Sequence, residues 1–228
     1  MRKTWVLAAA VFSLCSLGFG QERPSWEIYL GYQWTYSDYG PLQDVATAIA
    51  SPYGQTISVA HKFSMTGANA TLQKNIRKRW SAAVDIGGMY TQTSADLSRF
   101  FQLLGYIPPG ATQPSTFTPT VYTITFGPQV DIWKKGYTRV FVRGMGGALR
   151  SSLSMDTTTR QALTFLAPNF KTNTTDPAAM AGGGVEYHLL KHLYLRGSGD
   201  YIHGFSNSSH NYLRVSGGIA IDKFGKPW

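Results

Sequence analysis

Ten ionisable side chains fall at positions where extended chain would turn each of them away from an apolar face. They are Glu27, Asp85, Asp131, Glu186, Asp200 and Asp222, half of the 12 acidic residues, together with Arg139, Arg143, Arg196 and Arg214. In a strand, residues two apart share a face. Counting by twos leads from Asp131 to Gln129 and Thr125, from Asp200 to Ser198 and from Arg214 to Ser216, while the positions beside these charges include Tyr, Ile, Leu and Val. Guanidinium and carboxylate groups gathered on one enclosed face must pair with one another or meet trapped water, because an unpaired buried charge is costly. Two functions are open to such a cluster: a gated path for ions, or a plug of salt bridges that fixes strand register. The plug is the expectation, with Glu186, Arg196, Asp200 and Arg214 forming one network.

A second constellation is His203-Gly204-Phe205-Ser206-Asn207, with His210 nearby. A histidine beside a hydroxyl can act as base and nucleophile if both point the same way and a third group orients the ring. A separation of three puts His203 and Ser206 on opposite faces of a strand, and no carboxylate is evident to orient the imidazole. The segment reads as a polar hairpin, and no catalytic residue is assigned. A third candidate is the loop segment 94–104. There Ser94 could cap a short helix whose apolar residues are Leu97, Phe100, Phe101 and Leu104, serving as a lid or an interfacial element.

Other chemistries find little footing. The five histidines are spaced unlike a ligand set, so neither metal nor cofactor is expected. Gly182-Gly183-Gly184 sits in an extended stretch, where it suits wall curvature better than phosphate binding. Sequons at Asn69, Asn173 and Asn207 read as incidental. The chain is basic, with formal charge +9 and pI ≈ 9.7. Its cations, however, cluster in turns and on the enclosed face instead of along one aromatic-laced surface, so no nucleic acid is expected.

The elements that must position these groups are strands. Met1-Arg2-Lys3, an apolar run from Trp5 to Leu17 and Gly18-Phe19-Gly20 have the form of a secretory signal peptide, residues 1–20. The single cysteine, Cys15, falls inside it, leaving residues 21–228 without thiol or disulfide chemistry. No stretch is long and apolar enough for a membrane helix, yet a closed barrel needs none. Eight stretches alternate with period two. The first runs Trp26, Ile28, Leu30, Tyr32, Trp34, Tyr36 on its apolar side. The others centre on Ala68–Leu72, Val84–Ile86, Ile124–Ile132, Val140–Val142, Ala181–Val185, Leu193–Leu195 and Val215–Ile221. Short turns at Arg77-Lys78-Arg79, Lys134-Lys135-Gly136 and Leu190-Lys191-His192 alternate with longer connections over about 37–62, 92–119, 151–176 and 203–210.

That alternation is the arrangement of an all-β, up-and-down transmembrane barrel of eight strands, with turns and termini in the periplasm and loops outside. Threading it so places Trp26, Trp80, Trp133 and Tyr187 in one aromatic girdle and Tyr36, Tyr90, Tyr122, Tyr201 and Tyr212 in the other. Pro128, in mid-strand, predicts a bulge.

The opening "WEIYLGYQWTYS" and the closing "AAMAGGGVEYHLLKHLYLRGSGDYIHGFSNSSHNYLRVSGGIAIDKFG" resemble the small outer-membrane β-barrels, broadly OmpA/OmpX-like, over about a third of the chain. The resemblance implies an eight-stranded, monomeric barrel in the outer membrane, without the peptidoglycan-binding domain of the longer members, and mostly without an assigned activity. It implies outer-membrane lipid and lipopolysaccharide as surroundings, and the barrel-assembly machinery as a partner that would read Phe224 or Trp228. An extracellular ligand, of unknown kind, would bind through the loops. The His203/Ser206 region is also faintly similar to the His/Ser pair of lipid A 3-O-deacylases. Those enzymes separate the pair by one position instead of three. A lipid-modifying enzyme and a narrow channel are therefore the alternatives to a structural or surface-interaction role.

Overall fold

A strand with one apolar and one polar face is stable only if the two faces meet different surroundings, and closing the sheet on itself provides them. The computed structural model describes residues 26–39, 62–96, 98, 102, 105, 108, 110, 114–155, 157, 160–161, 172–190, 192–205 and 210–222. Its strands are β1 (Trp26–Tyr39), β2 (Lys62–Asn75), β3 (Trp80–Tyr90), β4 (Thr93–Asp96), β5 (Pro114–Lys135), β6 (Thr138–Met155), β7 (Asn173–Leu190), β8 (Leu193–Gly204) and β9 (His210–Asp222). Every pairing is antiparallel. Sequential neighbours pair, β3 pairs with β5, and β9 returns to β1, so the sheet has no open edge. β4 continues the ladder of β3 along β5 beyond a short break at Thr91 and Gln92, and the wall therefore has eight staves. Among the described residues no helix is long and apolar enough to cross a membrane.

The strands are longer than the sequence pattern suggests. β5 reaches back to Pro114, β6 runs on to Met155 and β7 starts at Asn173. The expected loops at 92–119 and 151–176 are correspondingly narrower. The longer strands of β5, β6 and β7 carry the ladder beyond the girdle tyrosines: Phe117 pairs with Met155 and Ser152 with Asn173. Ser94 is part of β4, opposite Thr116, and does not cap a helix. Ser98 and Gln102 are helical, while Leu97, Phe100, Phe101 and Leu104 lie outside the described residues, as do the residues of the proposed signal peptide, Ser206, Phe224 and Trp228.

The outer face is apolar throughout its middle: Ile28, Leu30, Val84, Ile86, Ile124, Phe126, Val142, Leu195, Val215 and Ile219 are exposed. A water-soluble sandwich would bury these residues, whereas a barrel in lipid turns them outward. Trp26, Trp80, Trp133 and Tyr187 ring the end that carries the short turns, and Tyr36, Tyr90, Tyr122 and Tyr201 the end that carries the loops. All eight are exposed. Tyr212 is not part of that girdle. It is fully buried inside the barrel, because Leu213 and Val215 hold the outward parity of β9.

Pro128 produces no bulge. The register of β5 against β6 is the same at Phe126–Gly146 as at Gln129–Arg143, and only the pairs at Gly127 and Pro128 lapse. The Asp131 N–H donates to Arg79 O on the β3 side, so strand alternation turns the missing N–H of Pro128 toward β6, where one rung is lost. The bulge lies between Asp131 and Trp133 instead. Close approach of the two strands explains the glycine before the proline: a Cβ on Gly127 would sit 2.3 Å from Gly144 O. The β5–β6 hairpin turns on Gly136, whose φ of 56° favours glycine.

Candidate functional site

The inward parity of the strands brings nine charged residues into two separate clusters. Nearer the turn end, Arg139 of β6 bridges Glu27 of β1 at 2.7 Å, reaches Asp131 of β5 at 3.7 Å and bonds Glu186 of β7. Arg196 of β8 bonds both Glu27 and Glu186 and reaches Gln73 Oε1 at 3.3 Å. This cluster sets two arginines against three carboxylates. Higher in the barrel, Arg143 of β6 bonds Asp200 of β8 at 2.7 Å and faces Asp85 of β3 at 3.6 Å. Arg214 of β9 completes the square, 2.8 Å from Asp85 and 3.0 Å from Asp200. Thr71 donates to Asp85 at 2.8 Å, and Arg214 Nη1 also reaches Gln33 Oε1 at 3.5 Å.

The expected single network of Glu186, Arg196, Asp200 and Arg214 is therefore two. Register decides this: Glu186 lies opposite Arg196, and Asp200 lies opposite Arg214. Arg196 and Asp200 are four steps apart along β8, about 13 Å at ~3.3 Å per residue. Phe141, fully buried, fills the gap. Its ring packs against the guanidinium of Arg196 at 5.2 Å and that of Arg143 at 5.9 Å, and Tyr29 stacks under Arg196 at 5.0 Å. Aromatic faces so placed attract the cations. Asp222 is also buried, on the same inward parity.

Above the upper cluster the interior changes character. Met65, Met89, Val121, Leu149, Ile202 and Tyr212 are all buried to within 1%. Met145 and Met180 lie directly opposite each other, with Met180 Sδ 3.2 Å from Arg214 Nη2. Phe117 and Leu153 bury a further apolar tier toward the loops. An eight-stranded barrel has room inside for side chains and little more, and here ion pairs lie below, with apolar and thioether side chains above, interleaved with the buried hydroxyls of Thr35, Ser37 and Ser151. The apolar tier escaped the charge-centred sequence reading, although its signal is present: continuing by twos from Arg139 and Arg143 reaches Met145, Leu149 and Leu153.

At the loop end of β8 and β9, His203 faces outward and is half-buried. Its Nδ1 lies 2.7 Å from Asn211 Oδ1, which also accepts from the Tyr201 hydroxyl at 2.7 Å, and Phe205 packs edge-on to the imidazole at 4.7 Å. An amide thus holds the ring where sequence reasoning looked for a carboxylate. Asn211 was missed because it is eight residues away and meets His203 only through strand pairing. Among the described residues no group of three His, Cys, Asp or Glu is arranged to hold a metal.

Among the described residues, nine strands in eight staves, closed and antiparallel, with apolar residues outward and charges inward, settle the architecture. The fold is that of the small outer-membrane β-barrels. Comparison with solved structures agrees. Neisserial surface protein A is similar at 11% identity, covering 89% of this chain and 100% of that one, with a TM-score of 0.55. Ail, the attachment invasion locus protein of Yersinia pestis, in complex with the heparin analogue sucrose octasulfate, is similar at 10% identity. It covers 88% of this chain and 100% of that one, with a TM-score of 0.51. No family model matches the chain, and no curated protein matches it.

Proposed function

We propose that this outer-membrane barrel is a closed stave wall serving a structural or surface-interaction role, with its specificity in the loop connections and its lumen plugged. The observation that carries the reading is the filled interior: two ion-pair clusters parted by Phe141 and roofed by Met65, Met89, Val121, Leu149, Ile202 and Tyr212. A conducting pore of this width would need a continuous wet path, and these side chains occupy it. In this reading the short turns face the periplasm and the loops face outward, against lipopolysaccharide. The names of two proteins of similar fold, one an attachment protein and one a surface protein, accord with it. Planar-bilayer recording of the purified barrel tests it. No stable openings are expected, and nanosiemens channels that persist when the loops are trimmed would overturn the plugged lumen.

A second reading, a lipid-modifying enzyme, draws on the His203–Asn211 bond of 2.7 Å at the outward rim. An oriented imidazole is one part of a hydrolase site, but the group on it is an amide and not a carboxylate, and Ser206 is three positions away, on the opposite strand parity. We therefore expect the purified protein to release no fatty acid from lipid A or phospholipid. Release abolished by both His203→Ala and Ser206→Ala would establish the enzyme instead.

A further inference from the structure

The two ends of the barrel carry very different charge. The short turns and their flanks hold Lys74, Arg77, Lys78, Arg79, Lys134, Lys135 and Lys191, with no acidic residue in 72–81, 132–138 or 189–194. In sequence, the connections 37–62, 91–119 and 150–176, which join strands at the other end, set Asp38, Asp44, Asp96, Asp156 and Asp176 against an equal number of cations, Lys62, Arg99, Arg150, Arg160 and Lys171. The interior arginines do not contribute to either surface, since they are consumed in buried ion pairs.

Register gathers most of the turn-end cations into one arc. β3 and β5 are neighbours, Trp80 lies opposite Val130, and the Asp131 N–H donates to Arg79 O at 2.9 Å. The β2–β3 turn with Arg77, Lys78 and Arg79 is therefore tied to the stave that ends in Lys134 and Lys135. Trp80 and Trp133 stand on the same arc, exposed to the surroundings of the wall, and Lys74 Nζ lies 5.1 Å over the Trp26 ring. Lys78, Arg79, Lys134 and Lys135 are exposed. Indoles anchor at the headgroup level of a bilayer, so the cations beside them stand at the depth of lipid phosphate.

We propose that this arc, across β2, β3 and β5, is a binding site for an anionic phospholipid carrying two phosphates, of the cardiolipin class. Two adjacent cation groups, Arg77 to Arg79 and Lys134 with Lys135, match two linked phosphates, while the flanking indoles and the apolar wall above take the acyl chains. Each Lys or Arg clustered beside a membrane surface adds to the attraction for anionic headgroups. A zwitterionic headgroup gains nothing comparable. The orientation proposed above would put the site in the inner leaflet, but binding itself does not depend on that orientation.

Native mass spectrometry of the purified barrel with cardiolipin, phosphatidylglycerol or phosphatidylethanolamine tests the site. Cardiolipin is expected to be retained best. Combined Arg77→Gln, Arg79→Gln, Lys134→Gln and Lys135→Gln substitution should lower its retention by at least about tenfold, while Lys62→Gln with Arg150→Gln at the other end leaves it unchanged. Equal retention of phosphatidylethanolamine overturns the proposal, and so does a loss that follows the Lys62/Arg150 variant. Photo-crosslinkable cardiolipin applied to the unsubstituted chain decides the matter without relying on the variant's folding. Adducts within 74–80 and 133–137 support the site, and adducts scattered over the wall or clustered near Tyr90 and Tyr122 refute it.

Discussion

The two halves of the lumen close the same barrel by different physics. Toward the turns, Arg139, Arg143, Arg196 and Arg214 and their carboxylates make directional bonds across strands that are far apart in sequence, such as Glu27 to Arg196. Toward the loops, Met65, Met89, Val121, Leu149 and Ile202 simply fill space. Charge pairs specify which strand faces which and tolerate no missing member. Apolar packing specifies little and forgives exchange of similar volumes. In the proposed reading, the lower half fixes register and the upper half keeps ions away from the charges beneath it.

The largest expected effect tests the lower half. Arg196→Ala leaves Glu27 and Glu186 with Arg139 alone, a loss of about 3–5 kcal/mol in unfolding free energy. Adding Glu186→Gln should recover part of that loss. Urea titration in lipid vesicles followed by tryptophan fluorescence measures both, and a double variant less stable than Arg196→Ala would show that the pair is not the operative unit. Next in size is Leu149→Ala, a cavity in the apolar tier costing about 2–4 kcal/mol. Its diagnostic consequence is permeability. Leu149→Ser should raise ion leak through reconstituted barrels more than Thr71→Ala does. An unchanged leak would mean that the charged half seals alone.

Smaller effects sharpen the contrast. Arg214→Lys keeps the charge but loses the fork that bonds Asp85 and Asp200 together, and it should cost about 1.5–3 kcal/mol. Met89→Leu, similar in volume, should cost less than about 1.5 kcal/mol. Equal losses for these two conservative exchanges, read by thermal unfolding in the same detergent, would erase the distinction between the halves.

Most of the wall was legible in the chain because the period of two is a local property. Trp26 to Tyr36, Leu213 to Ile221 and the charges opposite them all take the faces that alternation assigns, and the three short turns fall on their basic residues. The exceptions have physical causes. Tyr212 was placed in the girdle by its nearness to a strand end, where parity alone would have put it inside. Pro128 costs one rung without displacing the register, since the strand can forgo a single bond when its neighbours on both sides hold. The extra length of β5, β6 and β7 was hidden because small polar residues such as Ser151, Ser152, Thr118 and Thr120 read as loop until a partner strand is present.

By itself, then, the sequence determined that this chain is a barrel, which side of each strand faces outward, and which charges lie within. Those properties depend on neighbours two residues apart. Only the tertiary structure decided which charges meet. Glu27 with Arg139 and Arg196, Asp85 with Arg214, and Phe141 standing between the clusters all follow from stagger between staves accumulated around a closed wall. His203 with Asn211 follows from register in the same way. Alternation states the face of a residue and not its height, and height is fixed only when the last strand, β9, pairs with the first.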